Sequence, residues 1–311
     1  MKYYMAPLEG ITSYIYRSTY DKYFCKMDKY FTPFLVSPNF NLKEKLDLCP
    51  ENNLNINLVP QILSKDSDEF IKIAKSVSEY GYTTVNLNLG CPAGTVVSKK
   101  RGSGMLSDLY YLDNFLYELF ANCPLNISIK TRIGIWEQYD EWEEILDIYS
   151  KYNMEELIIH PRYQKEFYKG KPHLDAFIKA TTKISIPLCY NGDIFAKEDF
   201  ELLKAKCPSL DNVMLGRGIL KNPGLLASIN GTKAPTKSII KDFHDDLFEQ
   251  YQERMSGEMP TLYKMIELWT YMEASFTNPE KYMKKIKKAK HFSEYKAAVN
   301  ALFTNEDYIT L

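Results

Sequence analysis

Between Lys2 and about Asn230, short β-branched and apolar runs alternate with amphipathic helical stretches. This alternation restricts the chain to folds built from repeated βα units around a parallel sheet. The runs are Lys2–Met5, Phe31–Ser37, Asn57–Leu63, Thr83–Leu89, Asn126–Ile133, Glu156–Arg162, Ile186–Asn191 and Asn212–Gly216. Strands so spaced predict an α/β fold of the (β/α)8 TIM barrel type, whose site is assembled where strands end and βα loops begin. An open doubly wound sheet is the competing fold, but no GxGxxG follows the first run, where such a sheet places its phosphate turn. The helical period is clearest over Asp68–Tyr80, where Phe70, Ile71, Ala74 and Val77 are read as one apolar face and Gly81 as the stop.

The alternation ends at a segment of linker composition, Asn230-Gly-Thr-Lys-Ala-Pro-Thr-Lys-Ser238. Beyond it, Ser238–Met255, Leu262–Phe276 and Ser293–Phe303 carry apolar residues at near-helical spacing. The expected organisation is therefore a barrel over residues 1–232 and a small all-α domain over 238–311. At 311 residues, 45% hydrophobic and 25% charged, the chain has enough apolar mass for both. Its net charge of −1 leaves a nucleic-acid partner open, because such partners are met by local basic patches. Lys281, Lys284, Lys285 and Lys288 supply one, sharing a side of the helix predicted over KYMKKIKKAK; a solvated charged face is the plainer reading of that stripe.

Cys25, Cys49, Cys91, Cys123, Cys189 and Cys207 are too widely separated for a close-spaced zinc or dithiol motif. With no signal peptide or bilayer-spanning run, this suits a cytoplasmic protein with no membrane association. The four histidines form no HxH or HExxH element, so no metal is expected. No obligate protein partner is evident, and a monomer is expected.

Polar residues gather at the predicted strand ends: Met5-Ala-Pro-Leu-Glu-Gly10, Pro60-Gln61, Asn86-Leu-Asn88-Leu-Gly-Cys91-Pro92, Lys130-Thr-Arg132, His160-Pro-Arg162, Asn191-Gly-Asp193 and Gly216-Arg-Gly218. The last two follow strands seven and eight, where barrels commonly bind phosphate through glycine-lined backbone. By spacing alone they are equally ordinary strand-to-helix turns. Cys91 heads a long loop, Gly90 to Met105, carrying four glycines and Lys99-Lys100-Arg101, which reads as a mobile basic lid or as a solvated surface loop.

These elements resemble the tRNA-dihydrouridine synthase family: APLEGIT at the N-terminus, NLNLGCPAGTVVSKKRGSG in the centre, then NGDI and LGRG, in the family's order. Leu8 stands where Met is frequent, and Pro161-Arg162-Tyr163 where Gly-Arg-Thr is common. The resemblance implies FMN held by Ala6, Pro7, Leu8, Gln61, Lys130, His160, Asn191, Gly192, Asp193, Gly216 and Arg217. It implies NADPH or NADH as reductant and tRNA as substrate; with no separate dinucleotide-binding fold read in the sequence, the nicotinamide is expected to enter the same mouth. Uridine reduction then takes hydride from reduced FMN to C6 and a proton from Cys91 to C5, a general-acid task for which a thiol with an ordinary pKa near ~8.5 is suitably protonated. Asn88, Arg132, Arg162, Lys99 and Arg17 are the expected contacts to the base or RNA phosphates, and the base must flip out of its stack. Two other readings stand beside this one: a related FMN barrel acting on a free pyrimidine, and a catalytically silent tRNA-binding module.

Overall fold

The computed structural model describes residues 1–139 and 141–309. Its strands are β1 (Lys2–Met5), β2 (Lys29–Phe31), β3 (Leu58–Val59), β4 (Gln61–Ile62), β5 (Thr84–Leu89), β6 (Asn126–Thr131), β7 (Leu157–Ile159), β8 (Leu188–Tyr190) and β9 (Asn212–Leu215). All pair in parallel, in the order β3-β2-β1-β9-β8-β7-β6-β5-β4. The two ends of that order are joined through Pro60, so the sheet closes into a barrel.

One expected strand, Asn57–Leu63, is therefore split. Proline has no N–H to give to a ladder. Before it, Leu58 and Val59 pair back to β2; after it, Gln61 and Ile62 pair forward to β5. The expected Phe31–Ser37 strand stops at Phe31 for a related reason, since Pro33 interrupts it, and only Leu35 resumes contact, as a bridge to Ile62.

The helices intervening between strands are α1 (Tyr14–Tyr23), α2 (Leu42–Leu48), α3 (Ser67–Ser78), α4 (Gly94–Val97), α5 (Leu109–Asn122), α6 (Trp142–Ser150), α7 (Leu174–Lys183) and α8 (Lys197–Lys206). In α3 the Asp66 carboxylate caps the Glu69 N–H and Gly81 adopts φ +88° just beyond the end. Its buried face is Phe70, Ile73, Ala74 and Val77. Ile73, not Ile71, completes the stripe, as i, i+3, i+4, i+7 spacing demands. After β9 come α9 (Arg217–Lys221), α10 (Leu225–Ile229), α11 (Lys237–Arg254), α12 (Glu258–Met272), α13 (Glu280–Lys288) and α14 (Phe292–Asn305). Residues 310 and 311 of the expected helical domain lie outside the described residues.

Two compact units are distinguished. The first comprises Met1–Tyr14, Met27–Gly192 and Lys206–Leu215 and contains the whole barrel; the second comprises Ile15–Lys26, Asp193–Ala205 and the chain from Gly216 onward. Inside the barrel, Tyr4, Ala6, Phe31, Val59, Ile158, Cys189 and Met214 form a buried cluster. The helical unit is centred on aromatic residues: Trp269 Nε1 donates to Tyr295 Oη at 2.8 Å, and His244 Nε2 meets the same oxygen at 2.7 Å.

Candidate functional site

Successive residues of a strand face opposite sides, and β5 exploits this. Val85, Leu87 and Leu89 are fully buried apolar residues on one face, whereas Asn86 and Asn88 occupy the other, aligned in register with Ser128 and Lys130 of β6. A polar inner face of this kind is satisfied only if its groups bond each other.

They do so as a directed chain. The N–H groups of Gly90 and Cys91 donate to Asn88 Oδ1 at 3.0 and 2.9 Å. Asn88 Nδ2 donates to Gln61 Oε1 at 2.8 Å, and Gln61 Nε2 to Asn86 Oδ1 at 2.8 Å. Asn86 Nδ2 donates to Ser128 Oγ at 2.9 Å, which passes its own proton to the Val85 carbonyl at 3.3 Å. Because a backbone N–H can only donate, the turn at Cys91 dictates which way each amide points. Asn88, expected to read the base, has its Oδ1 engaged by the Cys91 turn and its Nδ2 by Gln61.

The Cys91 carbonyl is gripped from the other side by Ser103, through N–H at 3.1 Å and Oγ at 2.9 Å. A Cβ on Gly102, itself at φ +56°, would stand 2.8 Å from that carbonyl oxygen. The glycines expected to serve as lid hinges thus include one needed for close approach. Residues Gly102–Leu106 are buried, and Arg101 pairs with Glu69 at 2.9 Å; only the segment through Lys99 and Lys100 presents exposed basic surface.

Burial pushes the Cys91 thiol up, while the Ala93 backbone and the Lys130 and Arg132 cations pull it back down. The thiol is protonated at neutral pH, and its conjugate base would form beside two cations. Lys130 is lowered to about 8, chiefly by burial and secondarily by Arg132. Among the described residues no carboxylate pairs with it. A buried ammonium facing another cation requires a negative partner, which is what a bound anionic group would provide.

Arg132 and Arg162, expected to contact phosphate or base, are 1% and 0% exposed and hold backbone instead. Arg132 donates to the carbonyls of Gly90, Tyr163 and Phe167 at 3.0, 2.8 and 2.6 Å. Arg162 donates to those of Lys169 and Gly170 at 3.3 and 2.6 Å, and to His160 Nε2 at 3.0 Å. A guanidinium has no acceptor, so Nε2 accepts and the neutral ring carries its proton on Nδ1. Arg17, expected to meet RNA phosphate, is 0% exposed within α1, and the structure does not bring it to the surface.

At the remaining strand ends, Ala6 is buried, its N–H bonded to the Leu215 carbonyl at 2.8 Å, and the Leu8 N–H donates to Thr12 Oγ1 at 2.8 Å, fixing the turn through Pro7. Asn191 Nδ2 bonds the Met214 carbonyl at 2.9 Å, and Gly192 lies so close to the Tyr190 hydroxyl that a Cβ would be 2.2 Å away. In the second unit Arg217, just after Gly216, pairs with Asp193 and lies 5.5 Å above the Phe195 ring. That ion pair neutralises the Asp193 carboxylate. Also in this unit, Lys281, Lys284, Lys285 and Lys288 line one groove of about 550 Å³ with Ala297, Ala298 and Ala301.

The sequence model of the dihydrouridine synthase family matches residues 4–309. The chain belongs to the dihydrouridine synthase family. It is 30% identical over 226 residues to tRNA-dihydrouridine synthase B of Pasteurella multocida, covering 71% of this chain and 67% of that protein. It is 26% identical over 281 residues to a probable tRNA-dihydrouridine synthase of Staphylococcus aureus, covering 85% and 83%. Among solved structures, morphinone reductase superposes with a TM-score of 0.52 at 10% identity, over 76% of this chain and 87% of that one. An old yellow enzyme homologue from Zymomonas mobilis gives 0.51 at 10%, over 78% and 92%. At such identities these two share the barrel fold.

Family membership makes the chain an oxidoreductase that forms dihydrouridine. Sequence reasoning gave Asn86 no role of its own and missed Ser128. The signal was present: Asn86 lies two residues before Asn88 and therefore on the same strand face. Among the described residues, no helix is long and apolar enough to cross a membrane.

Proposed function

We propose that this chain reduces the C5–C6 double bond of uridine in transfer RNA, using FMN bound at the barrel mouth and NADPH or NADH as reductant. The observation that carries this reading is one strand-end cluster in which the Lys130 ammonium acts electrostatically on the partly buried Cys91 thiol and, among the described residues, pairs with no carboxylate. Bound there, FMN in its reduced form would supply the hydride for C6. Cys91 gives the proton to C5, and its sulfur regains one from solvent after product leaves; overall, uridine, NAD(P)H and one proton become dihydrouridine and NAD(P)⁺.

The residues fit these tasks. Lys130 offers charge to the anionic reduced ring. Gln61, with its amide orientation fixed by Asn86 and Asn88, presents a defined polar edge, and His160 is held as a neutral ring. The phosphate is assigned to the glycine-bearing backbone of the turn leaving β8, at Asn191-Gly192. Ala6, Pro7 and Leu8 provide the backbone wall on the ring side. The groove between Lys281 and Lys288 suits an RNA phosphate run, with Lys99 the exposed cation nearest Cys91 in the chain.

The test is anaerobic reduction of the purified flavoprotein by NADPH, followed by addition of tRNA lacking dihydrouridine. Rapid reoxidation by tRNA but not by free uracil or orotate, lost in Cys91→Ala, is expected. Reoxidation by the free bases would point to a small-molecule enzyme, and a colourless protein that still binds tRNA to an RNA-binding module. The nicotinamide is expected to leave before tRNA enters; steady-state patterns of a ternary complex would refute that order.

A further inference from the structure

The two buried arginines hold up one loop, Tyr163–Gly170, by four of its carbonyls. Within that loop Phe167 adopts φ 53° and ψ −98°, a backbone conformation that L-residues avoid and that persists only where surroundings enforce it. Enforcement here is the Arg132 bond to the Phe167 carbonyl. The result is that two large rings are displayed outward: Phe167 is 45% exposed and Tyr168 47%. The loop is also tied to its neighbour, Gln164 N–H to the Gly134 carbonyl at 2.9 Å and Lys165 N–H to that of Ile135 at 3.3 Å. That neighbour displays Trp136, 42% exposed, with Lys165 Nζ 5.5 Å from its ring centre.

Single exposed apolar residues need no explanation. Three rings on two bonded loops, interleaved with exposed Lys165, Lys169 and Lys171, have the composition of a single-strand nucleic-acid platform, in which bases stack on rings and cations follow phosphates. Glu166, the carboxylate inside the loop, is turned to the Tyr163 N–H and His173; Glu137 is the acidic neighbour beside Trp136. The platform is continuous with the site, for Tyr168 lies 6.0 Å from the His160 ring and 5.5 Å from the Arg132 guanidinium.

We propose that Trp136, Phe167 and Tyr168 form a stacking platform for unstacked nucleotides next to the uridine being reduced. This rests on the reading of the substrate as RNA. A uridine drawn into a barrel mouth leaves its neighbours without a stacking partner, and rigidly presented rings at the rim replace it at low entropic cost.

The chain's three tryptophans give a direct readout. Trp142 and Trp269 are 2% and 0% exposed, so fluorescence quenching by RNA reports Trp136. Titrating the flavoprotein with a short single-stranded oligouridylate is expected to give saturable quenching that Trp136→Leu abolishes. Tyr168→Leu should weaken the affinity by roughly 5- to 150-fold, the range of one base stack, while Tyr168→Phe restores it. Thermal melts and flavin content establish that each variant is folded. Absence of quenching in the wild type, or an unchanged affinity in folded Tyr168→Leu, would overturn the platform. Failure of the RNA reading would show separately, as wild-type flavin that tRNA does not reoxidise.

Discussion

Lys130 ties the chemistry of the site to a measurable proton. Its ammonium is held near pKa 8 in the protein alone, mainly by burial, against an ordinary value of about 10.5. An anionic group bound beside it restores the ordinary value, so binding takes up one proton wherever the free site has lost its own. Above pH 8 that uptake opposes binding. With a free-site pKa of 8, roughly 3% of Lys130 is charged at pH 9.5, and reduced FMN, whose ring is the anion Lys130 would meet, should bind about 30-fold more weakly there than at pH 7, close to 2 kcal/mol. The assay is anaerobic titration of the apoprotein with reduced FMN, followed by quenching of protein fluorescence, between pH 7 and 9.5. Lys130→Met should bind weakly at pH 7 and lack this slope.

Stability changes in the opposite sense. Below pH 8 the folded and unfolded chains both carry the proton, and the folded state bears the full penalty of the buried charge, about 3 kcal/mol at most for this shift. Between pH 8 and 10.5 the unfolded chain keeps a proton that the folded chain has shed, so the apoprotein gains stability as pH rises. Lys130→Met removes the penalty, and its apoprotein should melt higher than wild type at pH 7 while binding reduced FMN less well. Parallel FMN-binding slopes for wild type and Lys130→Met, or a lower melting temperature for the variant, would show that the ammonium is not the anion's partner.

Two further outcomes test other parts of the site. Asn86→Leu interrupts the chain between Ser128 and Gln61 without changing side-chain bulk greatly; single-turnover reoxidation by tRNA should slow by about tenfold to a hundredfold, with an altered rate of Cys91 alkylation in a protein that retains its flavin. Lys284→Gln and Lys285→Gln should each raise the KM for tRNA and reduce the slope of log affinity against log salt by about 1, measured by filter binding across a salt series.

The barrel was legible because period and punctuation agree in this sequence. Lys2–Met5 is read to the residue, and Thr84–Leu89 to within one, since alternation and strand ends are both marked. What escaped were consequences of pairing. Pro60 lies within an apolar run that looks continuous, and only closure of the ring shows that the two sides of the proline serve different neighbours. In the same way, Gly102 and Gly104 look like hinges until the Cys91 carbonyl and Val97 backbone are seen against them. A glycine in sequence does not tell freedom from close packing.

The arginines show where reading chemistry from residue type stops. Arg132 and Arg162 follow strand ends, where a guanidinium suggests a phosphate or a base, and position alone cannot separate that role from its alternative. In the fold each is inside a loop whose carbonyls point inward, and a planar group with five donors is the side chain best able to satisfy several of them at once. Holding those carbonyls fixes Phe167 in its strained conformation and turns the rings of Phe167 and Tyr168 outward. On the proposed platform, any influence of theirs on RNA is exerted through the surface they maintain. Replacing Arg132 should therefore disturb the loop, its rings and the Gly90 turn before Cys91 together, whereas replacing Tyr168 should touch RNA affinity alone.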